Sequence, residues 1–182
     1  MSSMSTAIYC FKKALFLIHA ISIRFGSLSP SPFPIPDTAH LPIFSDNVLP
    51  SLLVHFRVID LSSSSLSNLF PNPDYKSEEI LDVFKPPLPS SNSDHGKKQY
   101  EAGPVVTTDQ SYILRASAID ACELIVEAAR TLDVSSFGEG GMLSWINEIT
   151  LPELEMWIWA VAKDRPDYRA LPRLAFKDTV YF

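Results

Sequence analysis

Thr107 to Leu132 reads TTDQSYILRASAIDACELIVEAARTL, and the class of the fold turns on this stretch. Thr107 and Gln110 have the spacing of a capping box, in which a hydroxyl and a side-chain amide satisfy the open backbone groups at a helix start. Leu114, Ala118, Ala121, Ile125, Ala129 and Leu132 then recur at intervals of three and four. That period belongs to a helix with one apolar face turned to a core, and it predicts a helix from Asp109 to Leu132.

Downstream, the glycine-bearing run Phe137-Gly138-Glu139-Gly140-Gly141 reads as a turn between helices. It lacks both the dinucleotide-binding spacing and the lysine and hydroxyl of a phosphate loop. A last long helix is expected from Leu151 to Lys163, opened by Thr150 as cap and Pro152 in the first turn. Phe176 to Phe182 is β-branched and aromatic, suited to a strand or an extended tail.

Upstream, a helix ends near Phe25, where Gly26 is a stop signal. Ser27 to Pro42 carries prolines at 30, 32, 34, 36 and 42, so it reads as an extended, polyproline-like connection. Its apolar residues Phe33, Ile35 and Leu41, with Ile43 just after, can still pack. A second helix fits Leu49 to Val58, with Pro50 in its first turn and Leu52, Leu53 and Phe56 on one side. Ser62–Ser65 breaks the chain, and short helices are expected at Leu66–Phe70 and Ser77–Phe84. Residues 85–99, which open KPPLPSSNSDHGKK, form an exposed, flexible loop with no apolar period. The chain has no internal repeat. The class is mainly α, in a single domain.

Lys12 and Lys13 precede the apolar run Ala14–Ile18, a loose likeness to a secretory leader. Against that, Ile8, Phe11, Leu15, Ile18, Ile21 and Phe25 follow the helical period, which favours a buried helix. His19 and Arg24 keep the run well short of a membrane span, and no membrane partner is expected.

The 182 residues are 46% hydrophobic and 20% charged, a globular balance. A net charge of −6 gives no broad basic face for nucleic acid, although a few placed cations suffice for one phosphate. Cys10 and Cys122 are the only cysteines. Two lone thiols make no disulfide framework, so a reducing, cytoplasmic setting is expected. His19, His40, His55 and His95 show no metal spacing, and each reads as a satisfied or exposed imidazole.

Asp46, in Phe44-Ser45-Asp46-Asn47-Val48-Leu49-Pro50, stands just ahead of a predicted helix start. Helix-end amides and the helix dipole favour an ionised carboxylate there. Such an anion can stabilise an oxocarbenium-like sugar and orient a water, but position alone favours a plain capping role over this one, since aspartate is a preferred cap. Arg115 borders its helix's apolar stripe and can reach inward to an anion, or lie along the surface. Glu123, eight positions on, is near the same face. Glu155, Trp157 and Trp159 belong either to packing or to a stacking wall for a planar base.

Several of these segments together resemble the queuosine salvage protein family. The likeness runs in order from about residue 9 to the C-terminus. It rests on Tyr9–Ala14 with Leu15–Ile18, on PIFSDNVLP at 42–50 with Leu52–His55, and on Gln110–Arg115 with IDACELI at 119–125. It continues through Leu154–Trp159 and the ending Asp178–Phe182. The resemblance implies a helical fold like that of DNA glycosylases and release of queuine from queuosine 5′-phosphate by water attack at the ribose C1′. The ligand would be a small nucleotide, with no metal, no organic cofactor and no direct nucleic-acid partner. Asp46 falls on a candidate catalytic carboxylate, and Arg115, Glu123, Glu155 and Trp159 fall on the family's helix arginine, helix glutamate and acidic-aromatic segment. Lys12 and Lys13 join them as candidate substrate-binding residues. Asn47 and Val48 stand where some members have tyrosine and arginine, and Glu155, one methylene longer, stands for an aspartate. The likeness covers only the family's C-terminal half, so a fold incomplete on its N-terminal side and an impaired activity are expected. The alternative is a non-catalytic helical scaffold or partner-binding protein.

The first prediction concerns residues 85–98. Limited proteolysis of the native chain should cut there before any other internal site, because the composition offers no core contact. Mass spectrometry of the earliest fragments checks this, and first cuts elsewhere would contradict the loop assignment.

Overall fold

A computed structural model describes residues 11–70, 103–137 and 143–176 of the chain. The expected helix at Ser77–Phe84, the loop at 85–99 and the ending 177–182 lie outside them, as do Gly138–Gly141 of the expected turn. The described part is mainly helical. Its elements are α1 (Lys12–Phe25), α2 (Val48–His55), α3 (Thr108–Thr131) and α4 (Leu151–Asp164). Two 3-10 turns, Val134–Phe137 and Ser144–Glu148, join α3 to α4, and a single helical turn, Pro166–Arg169, follows α4.

Helices α3 and α4 start where their caps predict. Thr107 Oγ1 accepts from the Gln110 amide while Gln110 Oε1 accepts from the Thr107 amide, and Thr150 forms the same box with Glu153. The face of α3 is rotated from the expected stripe. Its buried residues are Ser111, Leu114, Ala118, Cys122, Val126 and Ala129, a row dominated by four-residue steps, whereas Ala121 and Ile125 are only half-buried and Leu132 is exposed. In the expected stripe Ala121 and Ile125 stood where Cys122 and Val126 pack.

At the centre lies α2. Val48 through Leu53 are all buried, and the helix packs on both α3 and α4, which also pack on each other. The resulting core joins Leu49, Leu52 and Leu53 to Ala118, Cys122, Val126, Leu154, Ile158 and Ala162. A helix apolar on all sides has to be enclosed by its neighbours. It ends at His55, earlier than the expected Val58. Arg57 adopts φ 58°, and the Val58 and Arg57 amides return to the Leu53 and Val54 carbonyls at 2.9 and 3.0 Å. That is a Schellman ending with an arginine where glycine is usual, so no residue type announces it.

Leu66–Phe70 forms turns, not the expected helix. Leu66 and Phe70 bury themselves with Val106, Leu114 and Leu174 in a second cluster. Beside it, Val105–Val106 (β1) pairs in parallel with Ala175–Phe176 (β2). Gly103 permits this approach, since a Cβ there would stand 1.7 Å from the Arg173 carbonyl oxygen. Residues 27–42 have neither helix nor strand, as their prolines require.

The N-terminal helix departs most from expectation. Phe11 and Ile18 of its apolar stripe are exposed, Leu15, Ile21 and Phe25 are half-buried, and His19 is the one buried residue of α1. The helix meets the body through the face that carries Lys12 and His19.

Leu52→Ala should lower unfolding free energy by about 2–5 kcal/mol, the usual range for a leucine deleted from an enclosed core, because Leu52 is 1% exposed. Leu124→Ala, at a position 65% exposed, should stay within about 0.5 kcal/mol. Urea unfolding of both variants checks the pair, and equal effects would contradict the central place of α2.

Candidate functional site

The site is assembled where the N-terminus of α2, the first turns of α1 and one face of α4 converge. Asp46 immediately precedes Asn47, the residue that caps α2. Its Oδ1 accepts from the Val48 amide at 2.8 Å and, more weakly, the Leu49 amide at 3.4 Å, and its Oδ2 takes an ion pair from Lys12 Nζ. The carboxylate, only 3% exposed, therefore has the partners that suit a buried anion: helix-end amides and one ammonium.

Glu155 is the second buried acid, also 3% exposed. Its Oε2 accepts from the Phe44 amide at 2.9 Å, which ties α4 to the segment that carries Asp46. Burial pushes its carboxyl up to about 7; the Phe44 amide and Lys12 pull the other way, and the nearby Asp46 charge adds to the rise. Glu155 is thus a group able to exchange a proton near neutrality. Cys122 sits behind it with its thiol pushed up to about 12 by burial and then by the Glu155 charge, so it is no thiolate nucleophile.

A cleft of about 580 Å³ opens beside these acids, lined by Lys12, Lys13, Phe16, Glu155, Met156, Trp159, Ala160, Lys163 and Asp164. Lys163 Nζ lies 4.2 Å and Lys12 Nζ 4.9 Å from the centre of the Trp159 ring, within cation–π range. Asp46 does not line the cleft. Lys12, which lines the cleft, stands over the outer oxygen of Asp46.

Of the expected site residues, Lys12, Lys13, Glu155 and Trp159 come together on the cleft, with Asp46 directly behind Lys12. Arg115 and Glu123 do not join them. Arg115 donates from Nε and Nη2 to the Ser45 carbonyl at 3.2 and 3.0 Å, bracing the turn before Asp46, and Glu123 is exposed on α3. Trp157 is 48% exposed, outside both core and cleft. Lys163 escaped the sequence reading, although Glu155, Trp159 and Lys163 at successive steps of four form one rail along α4.

His19 also differs from its expected state, for it is buried and, among the described residues, one ring nitrogen finds no hydrogen-bond partner. His40 is exposed, and His55 Nε2 lies 2.9 Å from the Pro172 carbonyl. Among the described residues, no group of three or more His, Cys, Asp or Glu side chains could hold a metal ion, and no helix is long and apolar enough to cross a membrane. Comparison of the chain with protein-family models, curated proteins and solved structures gives no match to any of them.

The raised Glu155 carboxyl has a consequence for stability. A carboxyl whose folded pKa lies above its unfolded value favours the fold fully below about 4.5, and that contribution fades as pH climbs to about 7. The Tm of the wild type minus that of Glu155→Gln should therefore fall across that interval. Using the difference removes the opposite trend from His19 and His55, whose lowered pKa values favour the fold as pH rises. A flat or rising difference would contradict the environment described for Glu155.

Proposed function

We propose that this cleft hydrolyses the N-glycosidic bond of a modified nucleoside 5′-phosphate, with queuosine 5′-phosphate the substrate implied by the sequence resemblance. The fold would be of the DNA-glycosylase-like helical type, incomplete on its N-terminal side. The observation that carries the reading is a pair of unlike acids, Glu155 on the cleft with its carboxyl pushed up to about 7, and Asp46 behind Lys12, held by helix amides and that lysine. Glycosidic cleavage needs one anion to face an oxocarbenium-like sugar and one group to move protons, and acids in unequal surroundings divide those tasks.

In this reading the base lies along Trp159 and the phosphate draws Lys12 and Lys13. As Lys12 turns to the phosphate, Asp46 Oδ2 is uncovered toward C1′. The carboxylate then stabilises the positive charge that develops on the sugar and orients the attacking water. Glu155, lining the cleft, takes the water's proton or protonates the departing base. Arg115 acts at one remove, by holding the Ser45 carbonyl and with it the turn that presents Asp46.

A partner-binding protein is the second reading, favoured by the large apolar side chains that α1 exposes, Phe16, Leu17 and Ile23 among them. The two readings separate in one assay. Purified chain is incubated with queuosine 5′-phosphate, and free queuine is followed by liquid chromatography with mass detection. Asp46→Asn keeps a carbonyl oxygen for the Val48 and Leu49 amides, so the helical circular dichroism and the Tm should hold while base release falls about a hundredfold or more. Unchanged release in Asp46→Asn, with an unchanged melt, would make Asp46 a helix cap alone. Absence of any release by the wild type would overturn hydrolysis by these 182 residues themselves.

A further inference from the structure

His19 has no role in the chemistry above, yet it is the one residue of α1 that is buried, at 5% exposure. Its Nδ1 lies 2.8 Å from Thr38 Oγ1, in the proline-rich segment. Its ring meets the Phe44 ring nearly edge-on, with centroids 6.3 Å apart. Phe44 is the residue whose amide donates to Glu155. Lys12, the partner of Asp46, lies about two turns before His19 on the same face of α1. One imidazole thus connects the proline-rich segment, the Glu155 donor and the helix that carries Lys12. Among the described residues, its Nε2 is buried without a hydrogen-bond partner.

We infer that His19 is a positioning residue for the Asp46–Glu155 pair, and that it seats α1 only as the neutral imidazole, so that protonating it loosens α1 and draws Lys12 away from Asp46. A neutral ring leaves Nε2 as a bare acceptor or a single unmet donor, a tolerable cost. An imidazolium brings both a second N–H and a full charge into that enclosed place, where neither is met.

The groups around the ring offer little to offset this. Thr38 and Phe44 do not titrate in this range, and neither do Leu15, Phe16, Ser22 and Ile23, its helical neighbours on α1. Among the described residues Glu153, in the first turn of α4, is the charge that acts on the ring, and it favours the cation less than burial opposes it, so the His19 pKa lies below its ordinary 6.5. The sign follows: seating is complete above about 6.5 and is lost as pH falls through the lower folded-state value.

The inference rests on the cleft being the functional site, and its test reads α1 itself and not base release, so the two can fail separately. Hydrogen exchange of the full chain is followed by mass spectrometry between pH 7 and 5, corrected for the intrinsic pH dependence of exchange. Peptides from α1 and from 43–46 are compared in wild type, His19→Phe and Glu155→Gln. Wild-type α1 protection should fall by up to about tenfold per pH unit between about 6.5 and the lower folded-state pKa of His19, the effect of one proton, and level off below it. Glu155→Gln should keep that fall, and His19→Phe should abolish it. Protection of α1 that ignores pH in the wild type, a fall that survives in His19→Phe, or one that vanishes in Glu155→Gln would overturn the inference. Should His19→Phe not fold, the wild-type His19 ring is titrated by NMR. A midpoint below 6.5 that coincides with the loosening of α1 supports the latch, and a midpoint elsewhere overturns it.

Discussion

The carboxylate of Asp46 stands at the N-terminus of a helix enclosed on every side, and both the packing and the site depend on that placement. Helix α2 is buried from Val48 to Leu53, so the open amides of its first turn have little water to turn to. Unsatisfied, they would carry a desolvation cost that a short apolar helix cannot absorb. Asp46 meets them with one oxygen, and Lys12 meets the other oxygen with an ammonium. Charge is held inside the protein here because a structural need for acceptors and a cation coincide at one point. Removing Lys12 alone would leave the buried Asp46 carboxylate without its cation, the costly way to break such a pair, whereas Lys12 is partly exposed to water.

From that point the cleft takes its character. The rail Glu155–Trp159–Lys163 runs along α4, and the Phe44 amide hooks Glu155 to the turn ahead of Asp46. Arg115 braces the same turn from α3 through the Ser45 carbonyl. The acids are therefore held from three directions: α2 through its amides, α3 through Arg115 and α4 through Glu155. The fourth wall, α1, is held differently. It contributes Lys12, Lys13 and Phe16 to the cleft, but buries a single side chain. Elements with few buried contacts open at lower free energy than core elements. The stiff side of the cleft thus carries Glu155 and Lys163, and the loosely seated side carries Lys12 and Lys13. This division suits the proposed reaction, in which Lys12 leaves Asp46.

Much of the fold was legible because it follows from local rules. The capping boxes at Thr107 and Thr150 need only the right side chains three positions apart, and α3 and α4 begin where those pairs stand. The proline-rich stretch could not be regular structure, since proline lacks an amide proton and fixes its own φ. The end of α2 was not legible, because its stop depends on Arg57 entering a left-handed conformation that arginine does not advertise. The rotated face of α3 was hidden for a related reason. Ala121 and Cys122, or Ile125 and Val126, are neighbours of similar hydropathy, and only the position of α2 decides which of each pair turns inward.

The site divides along the same line. Residue types and order alone placed an acid ahead of a helix start, an acid and an indole four positions apart on one helix, and two lysines before an apolar run. Those are short-range facts, set by helical period and capping chemistry. Sequence could not tell that Lys12 would cover Asp46 across 34 positions, or that Phe44 would bind Glu155 across 111. Nor could it tell that Arg115 would be spent on a backbone carbonyl, or that Glu123 would face solvent. Contacts between distant segments depend on how α3, α4 and the connecting segments enclose α2, and that is settled by packing volume and the satisfaction of buried polar groups over the described chain. The period of the sequence determined which helices form, and the tertiary structure decided which of their polar residues share one cleft.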